Sequence, residues 1–214
     1  MNLWISSHLL VAGLLLSTSA LTPEECQSLV TPLSLADRST MYGRWNFITG
    51  YTDNEVYNTI GRLTESTWMN ITPSPSNPNE VVVSQEDKIN GTCITSVVNI
   101  TIDGNTLSSS YFNITSEFYL LPSCDSCLLM SVNSTARNLD KLLQMMNFSS
   151  NVTGDKINAR ALYLNAREST LQDSDLEHFK QQASCLGFSR EPDILYDPKN
   201  EFCAEGEGIK MSIT

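Results

Sequence analysis

Two neighbouring carboxylates, one closely spaced cysteine pair and a single histidine outside the amino-terminal twenty residues are the groups of this 214-residue chain whose type and spacing could support chemistry. Glu86 and Asp87 end the run Val81-Val82-Val83-Ser84-Gln85-Glu86-Asp87, which reads as a strand. Side chains alternate along a strand, so one register aligns Val83, Gln85 and Asp87 and the other aligns Val82, Ser84 and Glu86. Either register turns one carboxylate inward. An unpaired buried carboxylate is costly, so it calls for a ligand cation or a hydrogen-bonding neighbour such as Gln85. Cys124-Asp125-Ser126-Cys127 has redox-motif spacing, but it lies in a turn without a strand-to-helix context and reads as a structural disulfide. His178 falls on a late helix as a solvated or packing residue, which leaves no partner for a histidine relay or a multi-histidine metal site. These residues argue against an enzyme, and no cofactor or metal is expected.

The elements that must hold those groups belong to a secreted chain. Leu9 to Leu16 is an apolar run, and Ser17-Thr18-Ser19-Ala20 supplies small residues before a cut, so residues 1–20 read as a signal peptide and 21–214 as one domain. No later apolar run is long enough to span a membrane. Seven acceptor sequons, at Asn70, Asn90, Asn99, Asn113, Asn133, Asn147 and Asn151, point the same way. Six cysteines, Cys26, Cys93, Cys124, Cys127, Cys185 and Cys203, are an even set for an oxidising compartment, with their pairing open at this level. A formal charge of -11 argues against nucleic acid and anionic membrane surfaces and suits a cationic ligand.

Along the chain, Leu21 to Thr40 reads as an extended arm. Tyr42 to Tyr51 reads as a strand with Trp45, Phe47 and Tyr51 on one face, and Thr52 to Thr59 as a loop carrying Tyr57. Further strands are expected over Arg62 to Ile71, Val81 to Asp87, Thr92 to Ile102, Leu107 to Ile114, Cys127 to Asn133 and Asn158 to Arg167, with a short run at Phe118 to Leu121. A glycan cannot point into a packed interior, so each sequon on a strand fixes its parity. Outward Asn70 turns Met69 and Ile71 inward. Outward Asn99 does so for Val98, Ile100 and Ile102, outward Asn113 for Ser110 and Phe112, and outward Asn133 for Leu128, Met130 and Val132. Asn138 to Met146 has helical spacing and fits either a lid over the mouth or a helix on the wall. Ser174-Asp175-Leu176-Glu177 reads as a capping box opening a helix through Cys185, with Leu176, Phe179 and Ala183 packing and Gly187 as its stop. Many short antiparallel strands followed by one late helix suggest a closed barrel with a helix outside.

Gly43-Arg44-Trp45 in the first strand resembles the Gly-x-Trp signature of the lipocalins. Trp45 to Ile48, Asn54 to Asn58, Cys93-Ile94, and Cys185-Leu186 through Asp193 to Tyr196 and Cys203 resemble the alpha-1-acid glycoprotein (orosomucoid) branch, including the fish tributyltin-binding and saxitoxin/tetrodotoxin-binding proteins. The resemblance implies an all-β, eight-stranded up-and-down barrel with a carboxy-terminal helix packed outside, and an interior that binds small molecules. It also implies the pairs Cys26 with Cys185 and Cys93 with Cys203, leaving Cys124 with Cys127. Carried over by position, it implies a ligand-binding set of Phe47, Tyr57, Thr67, Met69, Val83, Gln85, Asp87, Ser110, Leu128, Met130 and Tyr163. Arg167 is the counterpart of the family arginine that packs over the tryptophan. The lipocalin Thr-Asp-Tyr segment is absent, its place taken by the Cys124 to Cys127 turn.

The expectation is a monomeric secreted glycoprotein that carries a small hydrophobic or amphipathic ligand, with cationic ligands included. The alternative from another class is an acute-phase or immune-modulating glycoprotein that acts through its surface around a filled barrel.

Overall fold

The computed structural model describes residues 21–111, 113–139, 143 and 156–211. Eight antiparallel strands pair in chain order: β1 (Gly43–Thr52), β2 (Thr64–Pro73), β3 (Glu80–Ile89), β4 (Thr92–Asp103), β5 (Thr106–Tyr111), β6 (Ile114–Leu121), β7 (Cys127–Ala136) and β8 (Ile157–Ala166). β8 returns to pair with β1 and closes the barrel. Residues 1–20, Phe112, Asn147, Asn151 and all of the 138–146 segment except 138, Leu139 and Leu143 lie outside the described residues.

Two helices depart from the expected loops. α1 (Pro23–Val30) replaces the extended arm, because Thr22 and Glu25 form a reciprocal capping box and Pro23 takes a first-turn position that needs no amide hydrogen. α2 (Glu55–Leu63) replaces the Thr52 to Thr59 loop. The Asn54 side chain caps it by accepting from the Val56 amide, and Val56, Tyr57, Ile60 and Leu63 recur at helical spacing. α3 (Asp173–Cys185) is the late helix. It starts one residue before Ser174 and has no side-chain cap, so Ser174-x-x-Glu177 lies inside the helix rather than opening it. Gly187, at φ 88°, ends it as expected.

The barrel floor is packed by Leu35, Met41 and Trp45 with Ile71, Val81 and Leu107. Trp45 donates its indole N–H to the Met41 carbonyl at 2.7 Å, and the Arg167 guanidinium sits 3.4 Å above its ring. A bulge between Phe47 and Thr49 then reverses the alternation of β1. Tyr51 consequently faces out, against Phe179 of α3 and Phe188, and does not share the inner face with Trp45 and Phe47.

The chain after α3 wraps the barrel. β9 (Ile194–Leu195) pairs with Thr49 and Gly50, and β10 (Ile209–Lys210) pairs in parallel with Ile94 and Thr95. Three disulfides join Cys26 to Cys185, Cys93 to Cys203 and Cys124 to Cys127, the set that the resemblance implies. Among the described residues no helix is long and apolar enough to cross a membrane.

Candidate functional site

Inside the barrel, above Trp45, is a cavity of about 320 Å³. Its size and lining are those of a small-molecule pocket. Phe47, Leu128, Met130 and Tyr163 form one wall, and Met69, Ile71, Val81 and Val83 form another. Val98, Ile100 and Phe118 close the third side, while Tyr57, Ile60 and Gly61 bring α2 across the open end. Phe47 and Tyr163 meet edge to face, with ring centroids 5.8 Å apart. Their contact needs the bare Cα of Gly50, where a Cβ would lie 2.6 Å from the Tyr163 ring. Gly61 likewise gives way to Ile194, whose side chain a Cβ would meet at 2.2 Å. The carboxy-terminal wrap therefore supplies part of the wall.

Polar groups in this space are few. β3 takes the register that turns Val83, Gln85 and Asp87 inward, with Asp87 opposite Thr67. Thr67 donates to Asp87 Oδ1 at 2.8 Å, and the Gln85 amide donates to Oδ1 and Oδ2 at 2.8 and 2.9 Å. Asp87 does not line the main cavity itself; it stands behind Gln85 and Thr67, which do. It is enclosed by protein and keeps some accessible surface, as befits a group at the edge of an internal space. Burial raises its carboxyl above the ordinary carboxylate range, opposed by the bonds from Gln85 and Thr67. No lysine or arginine is among the described lining residues.

A second polar pair is the hydroxyls of Tyr57 and Tyr163. Burial raises both above the ordinary phenol range. The Tyr57 hydroxyl is buried near Ser134 without a hydrogen bond of regular geometry. Ser134 is instead bonded to Ser116 at 2.7 Å. The Tyr57 hydroxyl is thus a donor that a bound molecule could use.

Of the residues expected to meet a ligand, Phe47, Tyr57, Thr67, Met69, Val83, Gln85, Leu128, Met130 and Tyr163 line the cavity. Ser110 does not. It is exposed on the outer face of β5, and Ser109 lines the cavity in its place. The parity count failed there because Asn113 sits in the β5–β6 turn at φ 61°, where strand alternation no longer applies. Asn70, Asn99 and Asn133 do lie on strands and face away from the cavity that Met69, Val98 and Met130 line. Asn90, Asn99, Asn113 and Asn133 are exposed and Asn70 is half-buried. Glu86, the other carboxylate, points outward yet is only 1 % exposed, under the carboxy-terminal wrap. His178 lies on α3, away from the cavity lining.

Ile194, Asn165 and Ile60 line the cavity without having been expected to. Asn165 carried a usable signal, since it lies two residues beyond Tyr163 on the same face of β8. Ile194 carried none, because its place depends on a two-residue strand far along the chain.

No family model and no curated protein matches this sequence. Solved structures do match its shape. A siderocalin described as revealing a dual ligand binding mode aligns with a TM-score of 0.56 at 16% identity, over 81% of this chain and 98% of that one. The siderocalin Ex-FABP, described as functioning through dual ligand specificities, aligns at 0.55 and 13% identity, over 74% of this chain and 95% of that one. The bovine lipocalin allergen Bos d 2 aligns at 0.51 and 15% identity, over 71% and 88%. The fold is that of the lipocalins. In that fold the cavity above Trp45 is the interior of the lipocalin barrel, and α2 is the connection that crosses its mouth.

Proposed function

We propose that the chain is a secreted, N-glycosylated carrier of the orosomucoid-like branch of the lipocalins, which buries a small hydrophobic or amphipathic ligand in the barrel. The observation that carries this reading is the 320 Å³ cavity with its predominantly apolar wall. A filled barrel would have favoured action through the outer surface. Apolar contact with Phe47, Met69, Met130 and Tyr163 provides the affinity. Gln85 and Thr67, backed by Asp87, orient a polar end, and a cationic ligand suits a cavity whose nearest charge is a carboxylate that has no ion-pair partner among the described residues. The disulfides and the exposed sequon asparagines support secretion.

The test is tryptophan fluorescence titrated with hydrophobic amines and with lipids. Saturable change is expected, larger in affinity for amines, and the absence of saturation with every compound overturns the carrier reading. Native mass spectrometry of the protein purified from its source fluid then names the ligand.

A further inference from the structure

The barrel wall has a seam. β4 and β5 pair only through Thr101, Ile102 and Asp103, at the closed end, although β4 begins at Thr92 and β5 runs on to Tyr111. Above that short ladder the two strands have no hydrogen bonds to each other. Ser96 and Val98 on one edge and Ser109 on the other line the cavity.

The carboxy-terminal segment lies along this seam. Beyond Cys203, whose disulfide anchors it to Cys93, β10 pairs with Ile94 and Thr95, and the Met211 amide donates to the Thr95 carbonyl at 3.0 Å. From the other edge, the Tyr111 hydroxyl donates to the Met211 carbonyl at 2.8 Å. Glu86 is the point of attachment. Its two oxygens accept from the Thr95 hydroxyl and the Gly206 amide, each at 2.8 Å, so one buried carboxylate joins the barrel to the segment.

Its other contacts are the close approach of Gly208 to the Ile94 and Thr95 backbone and the packing of Met211 against the cluster of Ala136, Leu139 and Leu143. Ala204, Glu205, Gly206 and Glu207 are exposed, as is Lys210, and Ile209 is 68% exposed. Few buried apolar contacts and solvent-facing backbone bonds are the marks of a segment that opens at low cost. The disulfide keeps it tethered when it does.

We infer that residues 204–211 form a strap over a side opening between β4 and β5, latched by Glu86, and that ligand exchange passes beneath it. This rests on the carrier reading: α2 crosses the open end of the barrel, so a second route matters only if a molecule must reach the cavity.

The experiment uses the full secreted chain and N-phenyl-1-naphthylamine as fluorescent probe. Two variants weaken the latch: Glu86→Gln removes the charge, and Thr95→Val removes the hydroxyl that holds the carboxylate in place. Stopped-flow mixing gives the rates, and hydrogen exchange reports on 206–211. The loss of one charge-assisted hydrogen bond is expected to raise association and dissociation rates together by about tenfold, leaving the equilibrium constant nearly unchanged. Faster exchange over 206–211 should accompany it. Unchanged probe rates with a strap freed by the exchange criterion overturn the gate. So does faster dissociation alone, which makes the strap a wall. Failure of the unaltered protein to bind the probe saturably overturns the carrier reading, and the gate with it.

Discussion

Phe47 and Tyr51, four residues apart on β1, point to opposite sides of the barrel wall. Phe47 lines the cavity against Tyr163, whereas Tyr51 is 1% exposed between Phe179 and Phe188 outside. The bulge at Ile48 separates a cavity-facing residue from a load on the helix interface.

Truncating the two should therefore have opposite consequences. Phe47→Ala empties wall next to an existing void and should weaken an apolar ligand by roughly tenfold or more, the worth of one buried aromatic side chain, with a small change in melting temperature. Tyr51→Ala opens a cavity under α3 and should cost about 3 to 5 kcal/mol of stability, with affinity kept in the fraction that remains folded. Denaturant unfolding beside ligand titration separates them. Equal affinity losses would mean that Tyr51 also meets the ligand.

Asp87 should make both stability and binding depend on pH. Its carboxyl is raised by burial, so the folded protein binds its proton more tightly than the unfolded chain does. The stabilising contribution of the protonated form is present in acid and is lost as pH climbs from the ordinary carboxylate value through the raised one. A hydrophobic ammonium ligand requires the ionised form, so its affinity should rise over the same window with release of a proton. Asp87→Asn should flatten both profiles and weaken a cationic ligand more than a neutral one. Calorimetry in buffers of different ionisation enthalpy measures the proton; no buffer dependence would remove Asp87 from the electrostatics.

The barrel itself was legible in the sequence because two periodicities agree: apolar alternation and sequons on the opposite parity, as at Met69 against Asn70 and Val98 against Asn99. Where alternation is interrupted the reading failed. The bulge at Ile48 misplaced Tyr51, and the turn at Asn113 misplaced Ser110. The bulge has no composition signal, and the turn has only the weak one of an asparagine, which tolerates the left-handed backbone. α1 and α2 were readable in principle, from Thr22-x-x-Glu25 and from Asn54 before Val56, Tyr57 and Ile60, but their polar residues resemble loops. The contributions of Ile194 and of the segment over Glu86 depend on contacts more than a hundred residues apart, which no local pattern encodes.

Arg167 should matter for stability through its shape rather than its charge. Its Nη1 and Nη2 donate to the carbonyls of Arg44 and Tyr42 at 2.8 and 2.7 Å while its plane covers Trp45. A lysine keeps the charge but cannot bridge two carbonyls from a flat group over the ring. Arg167→Lys should cost about 1 to 3 kcal/mol in denaturant unfolding. A cost no different from that of a surface lysine swap would show that the floor does not depend on the fork.

Gly50→Ala probes whether the size of the cavity governs what it holds. The added Cβ would lie 2.6 Å from Tyr163 Cδ1 and 3.1 Å from the Leu162 carbonyl oxygen, and of these only the Tyr163 ring can move. Phe47 packs edge-on against that ring and Met130 pairs with Tyr163 across β7 and β8, so the displaced ring must enter the cavity. With only about 320 Å³ available, the substitution should discriminate by ligand size: bulky amines lose affinity by roughly tenfold or more, and the smallest are nearly unaffected. Titration with a homologous series of alkylamines measures this. A uniform loss along the series would place the ligand away from Tyr163 and shift the apolar contact to the Met69 and Val83 wall.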